Sequence, residues 1–294
     1  MIIVEILYLC DTKTSNLGFL MRLKPLFLAV SLLIVTCGFA QTSSERTPFK
    51  NGKMAVWLNT SMGLNVINCS DQGASPLQYI GVGANLRGGV TLEWKRCHVQ
   101  ATTTGLVSLI SNNSNQSYAF GIDSRAEFLY RTNVFRSDNW QLWAGATLQN
   151  YFDIKEYPQL MNAALGYSSF MNLHGTAMVK YNFAHIYDGA HSLLSLYGKL
   201  SLPLGGIVSR PGFAYMDNYT SNLNQANTLL QDYETYGILF PGVSTDLGLM
   251  LNLPNSNKIG FSYCWDYLTS RRTGVYRFDH AAHTFNVSLM FNIN

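Results

Sequence analysis

The chain has 294 residues, a formal net charge of +3 and a charged fraction of 13%, matched by an equal 13% of aromatic residues. That charged share is about half of what soluble domains carry. A balance so small, with no Lys/Arg cluster on any segment, excludes a nucleic-acid footprint.

The first landmark is MRLKPLFLAVSLLIVTCGFAQ at 21–41, with Arg22 and Lys24 before an apolar core and Gly38 and Ala40 at the minus-three and minus-one positions. It reads as a secretory signal peptide cut after Ala40. Residues 1–20 lack that logic and are taken as a non-native or upstream extension, 41–52 as a periplasmic N-terminal segment, and 53–294 as the folded body. Cys10 and Cys37 leave with the signal, and Cys69, Cys97 and Cys264 remain. Cys69 is expected on an outer loop and Cys97 on an inner turn, with a strand between them, so three free thiols are predicted. No Cys-x-x-Cys or Cys/His spacing suggests a metal, and no cofactor is implied.

Beyond residue 53 the apolar residues repeat with a period of two, the signature of strands with one apolar face. Over 54–66, Val56, Leu58, Met62, Leu64 and Val66 alternate with Trp57, Asn59, Ser61, Gly63 and Asn65. Over 79–94, Ile80 through Trp94 oppose Asn85, Arg87, Thr91 and Glu93, and a weaker strand covers 98–110. At 118–131, Phe120, Ile122, Ala126, Phe128 and Tyr130 oppose Asp123, Arg125, Glu127 and Arg131. Further strands are predicted at 140–152, 169–183 (with His174 and Lys180 on the polar side), 192–204 (Lys199), 237–253 (Asp246) and 258–268 (Cys264, Asp266). The tenth, at 283–294, sets Phe285, Val287, Leu289, Phe291 and Ile293 on one face.

Ten is an even number, and the connections alternate. Short ones follow strands two, four, six and eight, and longer ones the others, above all 205–236. In hydrocarbon every backbone polar group must find a partner within the fold, so only helices or closed sheets can span it. The strands reach or exceed the roughly 9 to 11 residues that a tilted crossing needs. Trp94, Trp140, Tyr181, Phe183 and Phe291 would form an inner aromatic girdle, and Phe152, Trp265 and Tyr267 an outer one. A soluble β-sandwich would share the alternation. The signal peptide, the low charge, the loop rhythm and the two aromatic bands favour a barrel.

With those features, residues 51–294 resemble the small outer-membrane β-barrel proteins of didermic bacteria, which have about ten strands. The resemblance implies an all-β, antiparallel transmembrane barrel with short periplasmic turns and long extracellular loops, set among outer-membrane lipid. It also implies that the last strand is read by the barrel-insertion machinery, although the chain ends in Asn294 instead of an aromatic residue. The resemblance is to an architecture and not to one activity.

Turned inward, the polar faces give a lumen lined by Arg87, Glu93, Asp123, Arg125, Glu127, Arg131, Lys180, Lys199, Asp246 and Asp266. Balanced charges in so narrow a barrel pair most simply with each other; a narrow conducting pore is the alternative. On the loop after strand seven, Arg210, Tyr215, Tyr219 and Tyr236 are candidate contacts for a glycan, protein or small solute, and 221–235 has helical spacing behind Ser221. Three function classes follow: a porin-like or small-solute transport barrel, a non-conducting barrel that binds through its outer loops at 153–168, 205–236 and 269–280, and a membrane-embedded protease or lipid hydrolase. For the last, Asp279-His280 lacks a facing acidic pair, and His283, expected beside Tyr267 and Thr269, lacks a serine. An enzyme is therefore not expected, and no catalytic residue is assigned.

Overall fold

The computed structural model describes residues 54–73, 75–94, 96–132, 134, 139–159, 165–183, 193–211, 233–272 and 275–293. The signal peptide, the segment at 41–52, Tyr215, Tyr219 and residues 221–232 of the expected helix lie outside the described residues. The strands are β1 (Ala55–Asp71), β2 (Gln78–Trp94), β3 (Cys97–Ser111), β4 (Gln116–Arg131), β5 (Trp140–Glu156), β6 (Leu165–Asn182), β7 (Leu194–Pro211), β8 (Tyr233–Ile238), β9 (Gly242–Asn252), β10 (Lys258–Arg272) and β11 (Val275–Asn292).

Every neighbouring pair is antiparallel, β1 closes against β11, and β6 pairs with β7. β8 and β9 both lie against β7, at Gly206–Pro211 and Leu194–Ser201 respectively, and together make one stave. The result is a closed barrel of ten staves, continuous from β1 through β7 and from β9 through β11, in which the short outer strand β8 pairs with β7 alone; a closed sheet is what satisfies its backbone within hydrocarbon. Its outside is apolar: Leu64, Val82 and Phe285 are 67%, 58% and 58% exposed. A continuous apolar exterior on that scale marks a membrane contact. Aromatic rings gather at both ends of this band. Trp140 and Tyr181 stand 4.7 Å apart near the inner rim, and Phe152 and Tyr167 stand 6.4 Å apart toward the outer one. The chain is thus a transmembrane β-barrel.

The strands run further toward the outer rim than the periodicity predicts. Of the loop expected at 269–280, residues 269–272 complete β10 and 275–280 begin β11. Cys69 lies inside β1 with its side chain buried, and not on a loop. Polar residues past the membrane band read as loop in a sequence, whereas backbone pairing does not require apolar side chains.

Two irregularities matter for the lumen. Between β6 and β7 the register slips, so that His174 faces Pro203 while Leu173 faces Gly205. This bulge reverses which parity of β7 points inward. Beyond it Val208 and Arg210 are buried, at 0% and 1% exposure. The second lies between β8 and β9, where the expected single strand is broken at Leu239–Pro241. Phe240 has φ 53°, Pro241 has no N–H to donate, and Gly242 has φ 157°. A side chain at Gly242 would collide with the carbonyl of Tyr267, so only glycine fits.

Candidate functional site in the barrel lumen

Inward parity places Arg87, Glu93, Asp123, Arg125, Glu127, Arg131, Lys180, Lys199, Asp246 and Asp266 on the luminal side of their strands. The structure links most of them. Arg125 on β4 holds Asp123 at 2.6 Å, Asp266 on β10 at 2.9 Å and the Ser244 hydroxyl at 3.0 Å. Lys199 on β7 pairs with Glu127 at 3.1 Å, and Tyr197 donates to Asp246 at 3.1 Å. Arg87 donates through Nε to Thr104 at 3.0 Å. Arg131 is half-buried near the inner rim.

Several members escaped the sequence reading. His98 stands 3.0 Å from Glu93 and 3.7 Å from Glu127. Lys258 lies 3.9 Å from Glu93 and 3.8 Å from the centre of the Trp57 ring. Extending the inward parity of β3 and β10 to their first residues would have found both. Arg210 is a correction: instead of an exposed loop contact, it is a buried luminal side chain that pairs with Asp71 and donates to the Tyr276 carbonyl at 2.7 Å. Tyr236 is likewise buried, on β8, with its hydroxyl on Ser270. The parity reversal on β7 hides the first, and the extension of the strand beyond the membrane band hides the second.

In the outer half the lumen is packed with apolar groups. Tyr151, Phe170, Val208, Tyr236, Leu268 and Phe278 form one buried cluster, and Phe170 and Phe278 stand 5.1 Å apart. Lys155 and Arg210 lie over the Phe278 ring at 4.7 and 5.1 Å. A second cluster joins Ile67, Cys69, Tyr79, Ile110 and Tyr157. Midway, Tyr151 on β5 meets His280 on β11 at 3.4 Å, and Arg125 spans from β4 to β10. The inner half contains a cavity of about 120 Å³ bounded by the charged network. Below it, Ala55, Trp57 and Met290 pack together against Met250.

In this arrangement the luminal charges neutralise one another. Desolvating each ion costs several kcal/mol, which only good geometry and further hydrogen bonds offset. The described histidines are all engaged by other side chains: His98 by Glu93, His174 by Gln149 at 3.1 Å, His280 by Tyr151, and His283 by Tyr263 at 2.7 Å. None of these pairs is the Ser–His arrangement of a lipid hydrolase. His283 stands opposite Trp265, and not beside Tyr267 and Thr269. Asp279 and His280 point to opposite faces: Asp279 accepts from Tyr267 and Thr269, at 2.8 Å each, on the outside, and His280 is buried within. Among the described residues no cluster of His, Cys, Asp or Glu could hold a metal ion.

No protein-family model matches the chain, and no curated protein matches it. Solved structures similar to it include the outer membrane protease OmpT from Escherichia coli, at 10% identity and a TM-score of 0.45, covering 85% of this chain and 100% of that one. The translocator domain of the autotransporter NalP from Neisseria meningitidis is similar at 11% identity and a TM-score of 0.37, covering 94% and 98%. Neisserial surface protein A follows at 10% identity and a TM-score of 0.34, covering 80% and 97%. These likenesses concern the barrel fold alone.

Proposed function

We infer that the chain is an outer-membrane barrel with a non-conducting lumen, and that its outer end, notably the connection within 205–236, meets a ligand or partner. The observation that carries this reading is the Arg125–Asp266 contact at 2.9 Å, which bridges staves on opposite sides of the barrel. The apolar cluster around Phe170 and Phe278 lies across the outer half as well. A porin-like path for small solutes would have to pass both. Apolar residues on the outside suit outer-membrane lipid, and the alternation Phe285, Val287, Leu289, Phe291 and Ile293 suits recognition by the barrel-insertion machinery.

Reconstitution of the purified barrel in a planar lipid bilayer tests the reading. A silent membrane is the expected result. Stepwise current from the unmodified protein would return it to the porin-like class.

A further inference from the structure

We propose that the inner luminal cavity, bounded by Arg87 and Lys180, is a binding site for a small oxyanion. The site is independent of whether the outer half conducts, because it lies between the Arg125 crossing and the inner rim.

The charges around the cavity are unequally committed. Arg125 is neutralised by Asp123 and Asp266, Lys199 is taken by Glu127, and Lys258 by Glu93. Asp246, the third carboxylate on the wall, accepts the Tyr197 hydroxyl. Two cations remain. Arg87 spends its Nε on Thr104, and neither it nor Lys180 has a carboxylate within 4 Å among the described residues.

Register puts these cations in two facing walls. Arg87, Ser61 and Ser288 are direct neighbours across β2, β1 and β11. Lys180 pairs with Tyr197 across β6 and β7, and in the ten-stave ring β6 lies opposite β1. The Ser61 side chain is 7% exposed, and its hydroxyl has no hydrogen-bond partner. A guanidinium, an ammonium and an unused hydroxyl around one space complement the oxygens of phosphate or a carboxylate. Asp246 acts on Arg87 and Glu93 on Lys180 only from beyond ion-pair distance, so an anion in direct contact would add charge-assisted bonds that neither cation makes. The volume of about 120 Å³ also limits the ligand. It is comparable to an engineered cavity of roughly 150 Å³ that holds a benzene-sized molecule, and so too small for a lipid or an oligosaccharide.

The test uses the full barrel refolded in detergent. Thermal unfolding is followed by tryptophan fluorescence in chloride, in inorganic phosphate and in acetate, all at one ionic strength. A saturable rise in the midpoint with phosphate is expected, weakened about tenfold or more in Arg87→Gln and in Lys180→Gln. The same rise should persist in Arg96→Gln, a change on the exposed inner turn. A rise with acetate alone would assign the site to carboxylates within the same class. Should Arg87→Gln fail to fold, broadening of the phosphate phosphorus-31 resonance by the wild-type barrel, and its loss in Lys180→Gln, decides. Coincident midpoints in all three salts, or an undiminished response in both variants, overturns the proposal.

Discussion

Arg125 on β4 donates to Asp266 on β10 across 2.9 Å, although five steps separate those staves in either direction around the barrel. The same guanidinium holds Asp123 at 2.6 Å, so two carboxylates depend on one cation. Arg125→Ala leaves Asp123 buried and Asp266 partly buried, each without its ion pair. A loss of about 3–5 kcal/mol is expected, the range for removing one partner of a buried pair. Denaturant unfolding in lipid vesicles measures it, and the triple change with Asp123→Asn and Asp266→Asn should recover part of the loss. A midpoint that does not move would mean that the cluster is solvated. In a conducting pore the single change would instead alter ion selectivity.

Phe170 on β6 and Phe278 on β11 meet at 5.1 Å in the outer half of the lumen, with Arg210 over the Phe278 ring. The double variant Phe170→Ala, Phe278→Ala removes the apolar contact between the walls. Each truncation is expected to cost about 3–5 kcal/mol. If these rings hold the lumen shut, the variant gains stepwise current in a planar bilayer where the parent is silent. A variant that folds and stays silent would put the barrier elsewhere, at the Arg125 level or below.

How far these contacts can be read from a sequence depends on the physics that makes each. The face of every strand is legible because side chains alternate, and Asp123, Arg125 and Glu127 therefore fall on the luminal side of β4 together. Partners across the lumen are not, because they depend on stave count and stagger, which periodicity does not encode. That is why Arg125 can be placed on the wall while its bond to Asp266 cannot be foreseen. Strand ends are also obscure. Arg210 sits beyond a bulge that reverses parity, and Asp279 carries outward polarity past the membrane band, so both read as loop.

Tyr197 on β7 lies beside Gly248 on β9, and a side chain at Gly248 would run into the Tyr197 ring. The ring covers a strand glycine, which otherwise weakens a sheet by leaving nothing to pack. Gly248→Val should destabilise the barrel by about 1–3 kcal/mol through overpacking. Tyr197→Ser in the same chain relieves the clash and should return part of that loss. Equal unfolding midpoints for the single and double variants would show that the ring moves aside freely.

Cys69 and Cys264 are buried in the lumen, whereas Cys97 begins β3 at the inner rim with a partly exposed side chain. In a folded chain lacking residues 1–40, a maleimide reagent in detergent should modify one thiol, Cys97, and after denaturation all three. Cys97→Ser should abolish the fast reaction. Mass spectrometry that finds an internal disulfide in the folded monomer would contradict the topology, because Cys69 pairs in register with Tyr79 near one end of β2 and Cys97 with Trp94 at the other.

The ladder between β7 and its neighbour is interrupted. β9 pairs with β7 up to Ser201 opposite Ser244, pairing resumes with β8 at Gly206 opposite Ile238, and Pro203 and Pro241 lie in the interval. Leu239 and Phe240, 75% and 69% exposed, lie on the outside of the same break. A proline supplies no N–H to the ladder, so this seam has fewer cross-strand bonds than any stretch of β1 with β11, which pair without a slip from Trp57 to Asp71. Local opening follows the density of such bonds. In amide exchange on the reconstituted barrel, peptides covering 202–206 and 239–243 should therefore exchange well before those covering 57–71 and 278–292. Uniform protection around the ring would mean that surrounding lipid, and not the ladder, limits exchange, and the seam would then be no weaker than the rest of the wall.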